Sequence, residues 1–349
     1  MTPDAAIRAE SDALVAGFEA LGAQRIEADV LQPADTLLDL YGEDIRARAY
    51  VTHDPLRGDQ MLRPDFTVPV VQMHMAAAAE PARYTYAGTV FRRQEGAPDR
   101  PSEYPQVGYE VFDGRAPEMV EAELYSAVHA ALTGLPVTAL MGDMGILRAA
   151  VASLETTEDR KAALMRHLWR PARFRALLDR FTSLPVTPAT PETGPEIGLR
   201  SAADVAGRLD RMHADAAAPR LDKGERAALE AILAVDCTAD RAPGALKATG
   251  ARGIEGPVKR LDARLEELST RGIDVSAIRF LGSYGRTSME YYDGFVFGFA
   301  APSMPSVATG GRYDALTRVL GQGRAVPAVG GVIRPDLVAG LRAKAGSGA

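Results

Sequence analysis

Apolar and polar residues alternate along two stretches, Tyr84 to Gln94 and Tyr104 to Asp113, with a polar loop rich in glycine and proline between them. Period-two alternation on both sides of a turn-forming segment predicts a long antiparallel hairpin. Successive side chains leave a strand on opposite faces. Gln106, Gly108, Glu110 and Phe112 therefore share one face, and Val107, Tyr109 and Val111 the other. On the first strand, Arg92 and Gln94 fall on the side of Tyr84, Tyr86 and Gly88. Mid-strand glycines weaken a sheet but let a ligand or another backbone come close. The hairpin is thus expected to be a platform of polar groups over glycine floors at Gly88 and Gly108. On pattern alone, its polar face also suits an ordinary solvated sheet.

The rest of the chain divides by the same criterion. Ile7, Leu14, Phe18 and Leu21 recur at helical spacing, with Asp4 placed to cap the helix and Gly22 to stop it. A short strand is expected near Arg25 to Leu31, and a second hairpin over residues 49–63, whose strands AYVTH and QMLR are joined by DPLRGD. Thr67 is placed to cap a helix beginning VPVVQMHM. A helix is expected over residues 116–132, then the strand VTALMGD and a helix through Leu154. Residues 156–249 change composition, becoming rich in Ala, Arg, Asp and Leu at helical spacing, and read as a mostly helical insertion between core segments 1–155 and 250–349. Arg166, Arg170, Arg173 and Arg180 would share one side of an unbroken helix, but Pro171 argues for two short helices with acidic partners instead. Val258, Leu261, Leu265 and Leu268 mark a helix ending at Gly272. The strands IRFLG, EYYDGFVFGFA, SVATGG and AVGGVI and the helix RPDLVAGLRAKA complete the chain.

Composition narrows the function classes. The 349 residues suggest about two domains, and 46% hydrophobic with 25% charged residues is ordinary for a globular protein. No apolar run approaches the roughly 20 residues that span a bilayer. MTPDAAIRAESD lacks the basic-then-apolar layout of a signal peptide. The single cysteine, Cys237, excludes intrachain disulfides and suits a cytoplasmic setting. A net charge of −6 removes the bulk electrostatic case for nucleic-acid binding, so no nucleic acid is expected as partner. His53, His74, His129, His167 and His213 are not at ligand spacing, so no metal site and no cofactor is expected. Phosphate-binding glycine loops and the nucleophile elbow are absent from the sequence.

Four segments carry a resemblance. FRRQ, a loop and then QVGYE resemble motif 2 and the following strand of class II aminoacyl-tRNA synthetases, most closely the histidyl branch. Leu62-Arg63-Pro64-Asp65-Phe66-Thr67 resembles its L-R-P-E-G-T segment, and Tyr291-Tyr292 with ATGGRYDAL resembles its second histidine-specific signature. Pro33, after the strand-like residues preceding it, resembles motif 1, which in that family builds a dimer interface; Leu37, Leu38 and Tyr41 would be covered there. The resemblance covers about residues 1–150 and 275–345. It implies an α+β fold of the class II type, a mostly antiparallel sheet flanked by helices, with the helical insertion added. It also implies a histidine pocket of Asp65, Thr67, Gln106, Glu110, Tyr291 and Tyr292, with aspartate standing one methylene short of the family's glutamate at position 65.

The ATP side of the family pattern departs. Arg92 matches the motif 2 arginine and remains as a possible anion-binding remnant, but Gln94 replaces the acid two positions later. Thr287 stands where the family has its histidine-specific catalytic arginine, and Leu337 where motif 3 has the arginine that clamps ATP. Charge developing on phosphate oxygens needs preorganised cations. The sequence ends at Ala349, with no expectation of an anticodon-binding domain. A retained histidine pocket without these parts resembles the synthetase-like regulatory subunits of short-form ATP phosphoribosyltransferases. That resemblance implies no catalytic residues, a catalytic phosphoribosyltransferase partner, histidine as effector, and a homodimer within a hetero-oligomer. A truncated histidyl-tRNA synthetase and a stand-alone histidine-binding interaction protein remain open on the sequence.

Overall fold

The computed structural model describes residues 3–34, 49–77, 79–94, 100–184, 201–286 and 291–347. Leu37, Leu38 and Tyr41, expected at a dimer interface, and Thr287 lie outside the described residues.

The expected hairpin is the long pair at one side of the main sheet. Its strands are β5 (Ala82–Phe91) and β6 (Glu103–Phe112), with Tyr84 opposite Glu110, Tyr86 opposite Gly108 and Gly88 opposite Gln106. Around it, among the described residues, run β1 (Gln24–Arg25), β2 (Leu31–Pro33), β3 (Val51–Asp54), β4 (Gly58–Leu62), β7 (Thr138–Asp143), β8 (Asp236–Thr238), β9 (Arg279–Leu281), β10 (Phe295–Ala300), β11 (Ala308–Arg312) and β12 (Ala328–Ile333). The hairpin and seven of these strands form one nine-stranded sheet in the order β1-β5-β6-β12-β11-β10-β7-β9-β8, and β2-β4-β3 form a second. Pairing is antiparallel except between β1 and β5 and between β7 and β9. The class II synthetase-like expectation of a mostly antiparallel sheet flanked by helices is met.

The single strand expected over residues 25–31 divides into β1 and β2. The chain pairs with β5 of the large sheet, then crosses to pair with β4 of the small one, and no one strand can serve both. The first helix, Pro3–Ala20, starts one residue before Asp4, which lies in its first turn instead of capping it. The arginine-rich stretch is two helices, Glu158–Arg166 and Pro171–Thr182, with Pro171 opening the second, where its missing N–H costs nothing. Arg180 and the buried Arg160 both pair with Asp215. The described residues between 158 and 248 are predominantly helical, yet their β8 extends the large sheet through β9.

The sheet separates two environments. On one side, Pro3–Ala20 packs against Pro335–Ser347 and over β5 and β6, with Phe18 stacked 5.0 Å from Tyr109, one of the residues alternation assigned to that face. On the other, helices Thr67–Ala77 and Asp314–Leu320 pack together. There His74 stacks 4.0 Å from Phe112.

A buried ionic cluster joins several of these parts. Arg264 donates to Glu121 (2.5 Å) and Asp143 (3.0 Å), and Arg312 pairs with the other Glu121 oxygen and with Asp314 (3.0 Å). Burial raises the Glu121 pKa, but the two guanidiniums outweigh it and hold the carboxyl below its ordinary value. Removing one member of such a cluster strands uncompensated charge in the interior. Glu121→Gln is expected to cost about 3–5 kcal/mol, read as a lower urea midpoint. A variant as stable as the parent would show that the cluster contributes little.

Candidate functional site

The site is built on the β5–β6 face that carries Glu110. This carboxylate is fully buried and accepts three hydroxyl hydrogen bonds: Tyr86 (2.9 Å) and Thr67 (3.1 Å) on Oε1, and Tyr313 (2.6 Å) on Oε2. Each donor comes from a different part of the chain: β5, the first turn of Thr67–Ala77, and the residue following β11. Gly330 in β12 lies directly opposite Glu110, and a Cβ there would sit 1.4 Å from Oε2. The glycine is what lets the carboxylate lean across its neighbouring strand. Burial pushes Glu110 up to about 7; the three hydroxyls act downward and the nearby Asp65 charge acts upward.

The other expected pocket residues gather at the same place. Thr67 also accepts from the Tyr291 hydroxyl (3.4 Å), so its hydroxyl links Glu110 to the tyrosine pair. It does not cap its helix as expected. The Asp65 carboxylate lies near the backbone N–H of Val68 (3.4 Å), while the Thr67 side chain turns into the site. Tyr291 stands edge-on to Tyr292 (4.9 Å) and Tyr313 (6.1 Å). Tyr292 lies against Gly311. Burial, then the Asp65 charge, raises the Tyr291 pKa; burial, then Glu110 and Asp65, raises that of Tyr292. Gln106, 3% exposed, occupies the same strand face, and its Oε1 has no hydrogen-bond partner among the described residues. Asp65, Thr67, Gln106, Glu110, Tyr291 and Tyr292 therefore cluster from three separate segments.

The glycine floors have a different use from the one expected. The Tyr86 ring lies across Gly108, and Arg63 and Phe66 cover Gly88. The missing Cβ atoms admit the protein's own side chains, with Phe66 stacked on Tyr86 at 4.3 Å. Tyr86, Tyr313 and Gly330 are the contributors to this cluster that the sequence reading left out. Tyr86 had a signal, since it shares the Glu110 face one alternation step from the residue opposite it. Gly330 had none beyond a glycine pair inside a strand.

Beyond Gln106 the same face ends at Tyr104, over which the Arg334 guanidinium lies at 3.9 Å. Arg334 is also held in bidentate fashion by Asp336 (2.9 and 2.5 Å). Leu337 packs against the apolar core. Arg92 donates to the Pro64 carbonyl (2.6 Å) and stands 3.9 Å from Asp65, and the Gln94 amide bonds the carbonyls of Arg92 and Pro101. Among the described residues no group of His, Cys, Asp and Glu is arranged to hold a metal.

The position of Glu110 has a measurable consequence. Its folded value near 7 lies above the ordinary 4.5. Between these pH values the folded protein keeps a proton that the unfolded chain has released. Its contribution to stability is therefore full below about pH 4.5 and is lost as pH rises through 7. The difference is on the order of 3 kcal/mol. Glu110→Gln, which cannot titrate, should gain on the parent by about that amount between pH 5 and pH 8 in urea unfolding. An equal gap at both pH values would contradict this assignment.

Comparison with known proteins agrees with the geometry. A family model described as histidyl-tRNA synthetase matches residues 3–240 and 201–338. A protein of Allorhizobium ampelinum named ATP phosphoribosyltransferase regulatory subunit is 31% identical, covering 95% of this chain and 97% of the relative. One of the same name from Sinorhizobium medicae is 30% identical, covering 91% and 93%. A solved structure from Bacillus halodurans, titled ATP phosphoribosyltransferase regulatory subunit/histidyl-tRNA synthetase, superposes with a TM-score of 0.71 at 21% identity, covering 96% of this chain and 79% of that one. Spanning nearly the whole length of these relatives, on a sheet of the synthetase type, the chain belongs to the histidyl-tRNA synthetase-like family of ATP phosphoribosyltransferase regulatory subunits.

Proposed function

We propose that this protein binds free histidine in the Glu110 site and conveys its level to a separate catalytic ATP phosphoribosyltransferase, which it activates. The observation that carries the reading is the concentration of acceptors in an aromatic enclosure. Asp65 and Glu110 supply negative charge, and the Oε1 of Gln106 is a buried acceptor with no partner among the described residues. Tyr86, Tyr291, Tyr292 and Tyr313 supply flat apolar surface within the same cluster. Histidine offers the complement: an ammonium group, an imidazole N–H and a planar ring. Asp65 and Thr67 orient the ammonium, Glu110 takes a charge-assisted hydrogen bond, and the tyrosines pack on the ring.

The protein itself forms no adenylate. Leu337 offers no charge to phosphate oxygens. Arg334 is engaged by Asp336 and Tyr104. A site that binds an amino acid without activating it suits sensing. Regulation then requires histidine to bind one state of the complex more tightly than another, since equal affinity shifts nothing. The relatives' shared name, regulatory subunit, supports this division of labour.

Reconstitution tests the reading. The catalytic subunit mixed with this protein should turn over faster than alone, and histidine should inhibit the mixture. No histidine-dependent ATP–pyrophosphate exchange should be detectable. A catalytic subunit indifferent to this protein would overturn the regulatory role.

Calorimetry tests the placement of the ligand. A hydrogen bond to a charged group contributes about 1.5–3 kcal/mol. Glu110→Ala should therefore weaken histidine binding roughly 10- to 150-fold and blunt inhibition while leaving assembly intact. Unchanged affinity would move histidine elsewhere.

A further inference from the structure

The helix Pro171–Thr182 begins with its electrostatics inverted. A helix start carries partial positive charge and favours acids beside it. Here the first turn holds no acid, and no side chain caps it. Pro171 has no N–H to offer, and those of Ala172 and Arg173 find no acceptor among the described residues. Arg173 and Arg175 are both exposed, and neither has a carboxylate partner among the described residues. The neighbouring Arg160 and Arg180 differ, since Asp215 serves both. From His167 to Arg175 the chain carries three arginines and no acid.

A buried cation meets the same helix end. Arg286 is 6% exposed, yet no carboxylate pairs with it among the described residues. Its Nε donates to the carbonyl of Leu168 (2.8 Å), just ahead of the N-cap residue Arg170. Its guanidinium lies 4.8 Å from the ring of Phe174, whose N–H closes the first turn onto the Arg170 carbonyl. The Nη2 of Arg286 is buried without a partner, and so is the Nε1 of Trp169, beside the N-cap. Burial lowers the Arg286 pKa, and the like charge of Arg175 lowers it further. Burial, then Arg170, Arg166 and Arg173, depress His167 as well, so the positive field extends across the junction. Buried charges normally persist with a counter-charge or a full set of hydrogen bonds. This junction supplies donors and cations in excess of acceptors.

We infer that the start of Pro171–Thr182 and the Arg286 guanidinium form a binding site for one phosphate group, free or as a phosphate monoester. The phosphate oxygens accept from the Arg286 guanidinium on one side and from the N–H groups of Ala172 and Arg173 on the other, as helix starts commonly hold phosphate. A dianion answers the unpaired guanidiniums of Arg173, Arg175 and Arg286 better than a carboxylate, whose single charge would match only one. Convergence on one helix end selects a single phosphate group over a nucleic-acid backbone, which is bound by cations spread along its length. None of these groups belongs to the Glu110 cluster, so the site stands or falls apart from the histidine reading.

Arg286→Gln removes the charge and keeps a donor for the Leu168 carbonyl. Arg175→Gln is the second variant, at an exposed position. Equilibrium dialysis with radioactive inorganic phosphate, in chloride buffer of constant ionic strength, measures affinity, and circular dichroism checks the fold. The parent should bind phosphate saturably, at one site per chain, in the millimolar range or below. Arg286→Gln should bind about tenfold more weakly or worse, and Arg175→Gln severalfold more weakly. Competition with ribose 5-phosphate names the source. Tighter binding of the monoester points to an ester as ligand and weaker binding to free phosphate, and either result supports the site. Absence of saturable binding by the parent would overturn it, as would parent-like affinity in both variants. If Arg286→Gln does not fold, Arg175→Gln decides alone. Displacement of phosphate by duplex RNA at concentrations where ribose 5-phosphate has no effect would overturn it in favour of a nucleic-acid face.

Discussion

Burying the Glu110 carboxylate is the constraint on which the site depends. An isolated charge in an apolar interior is costly, and it persists only where hydrogen bonds surround it. Here three hydroxyls do so, from β5, from the helix beginning at Thr67 and from the residue after β11. Those three segments are distant in sequence, so satisfying one carboxylate fixes their mutual position. Gly330 is part of the same arrangement, since any side chain there would occupy the carboxylate's place. The incomplete compensation is visible in the raised Glu110 value.

The site is continuous with the element that stabilises the fold. Arg312 belongs to the buried cluster around Glu121 and immediately precedes Tyr313, which donates to Glu110. The backbone N–H of Asp293 donates to the Arg312 carbonyl (3.0 Å), which fixes the segment just after Tyr291 and Tyr292. Its carboxylate in turn accepts from the first turn of the helix Asp314–Leu320 (2.8 Å). The ionic cluster therefore holds the tyrosine-bearing segments while the tyrosines hold the carboxylate. The two arrangements meet at consecutive residues, Arg312 and Tyr313.

The opposite end of the platform has taken another course. Where the synthetase pattern expects an arginine, Leu337 joins the core. The nearby cation, Arg334, is bound bidentately by Asp336 and laid on Tyr104. A guanidinium already paired on one side and stacked on the other has little left to offer a phosphate. The polar machinery of this face is thus concentrated between Gln106 and Phe112, matching the family's naming as regulatory subunits.

Much of this was written into local sequence. Alternation is a property of each strand alone, so it assigned Gln106 and Glu110 to one face and Tyr109 to the other before any partner was known. Glycine and proline placed the hairpin loop and the break at Pro171, because backbone restrictions act residue by residue. The motif resemblances named six residues that the fold does bring together. Local pattern did not show what meets across the chain. It placed Thr67 as a cap, whereas the pull of a buried carboxylate 43 residues away turned its hydroxyl into the site. It read Gly88 and Gly108 as openings for a ligand, whereas Arg63, Phe66 and Tyr86 fill them. It joined β1 and β2 into one strand because sheet membership depends on which partners lie alongside. Gly330, Tyr313 and the cluster of Glu121, Arg264 and Arg312 acquired their roles only from tertiary structure, since desolvation and charge pairing depend on neighbours in space and not on neighbours in the chain.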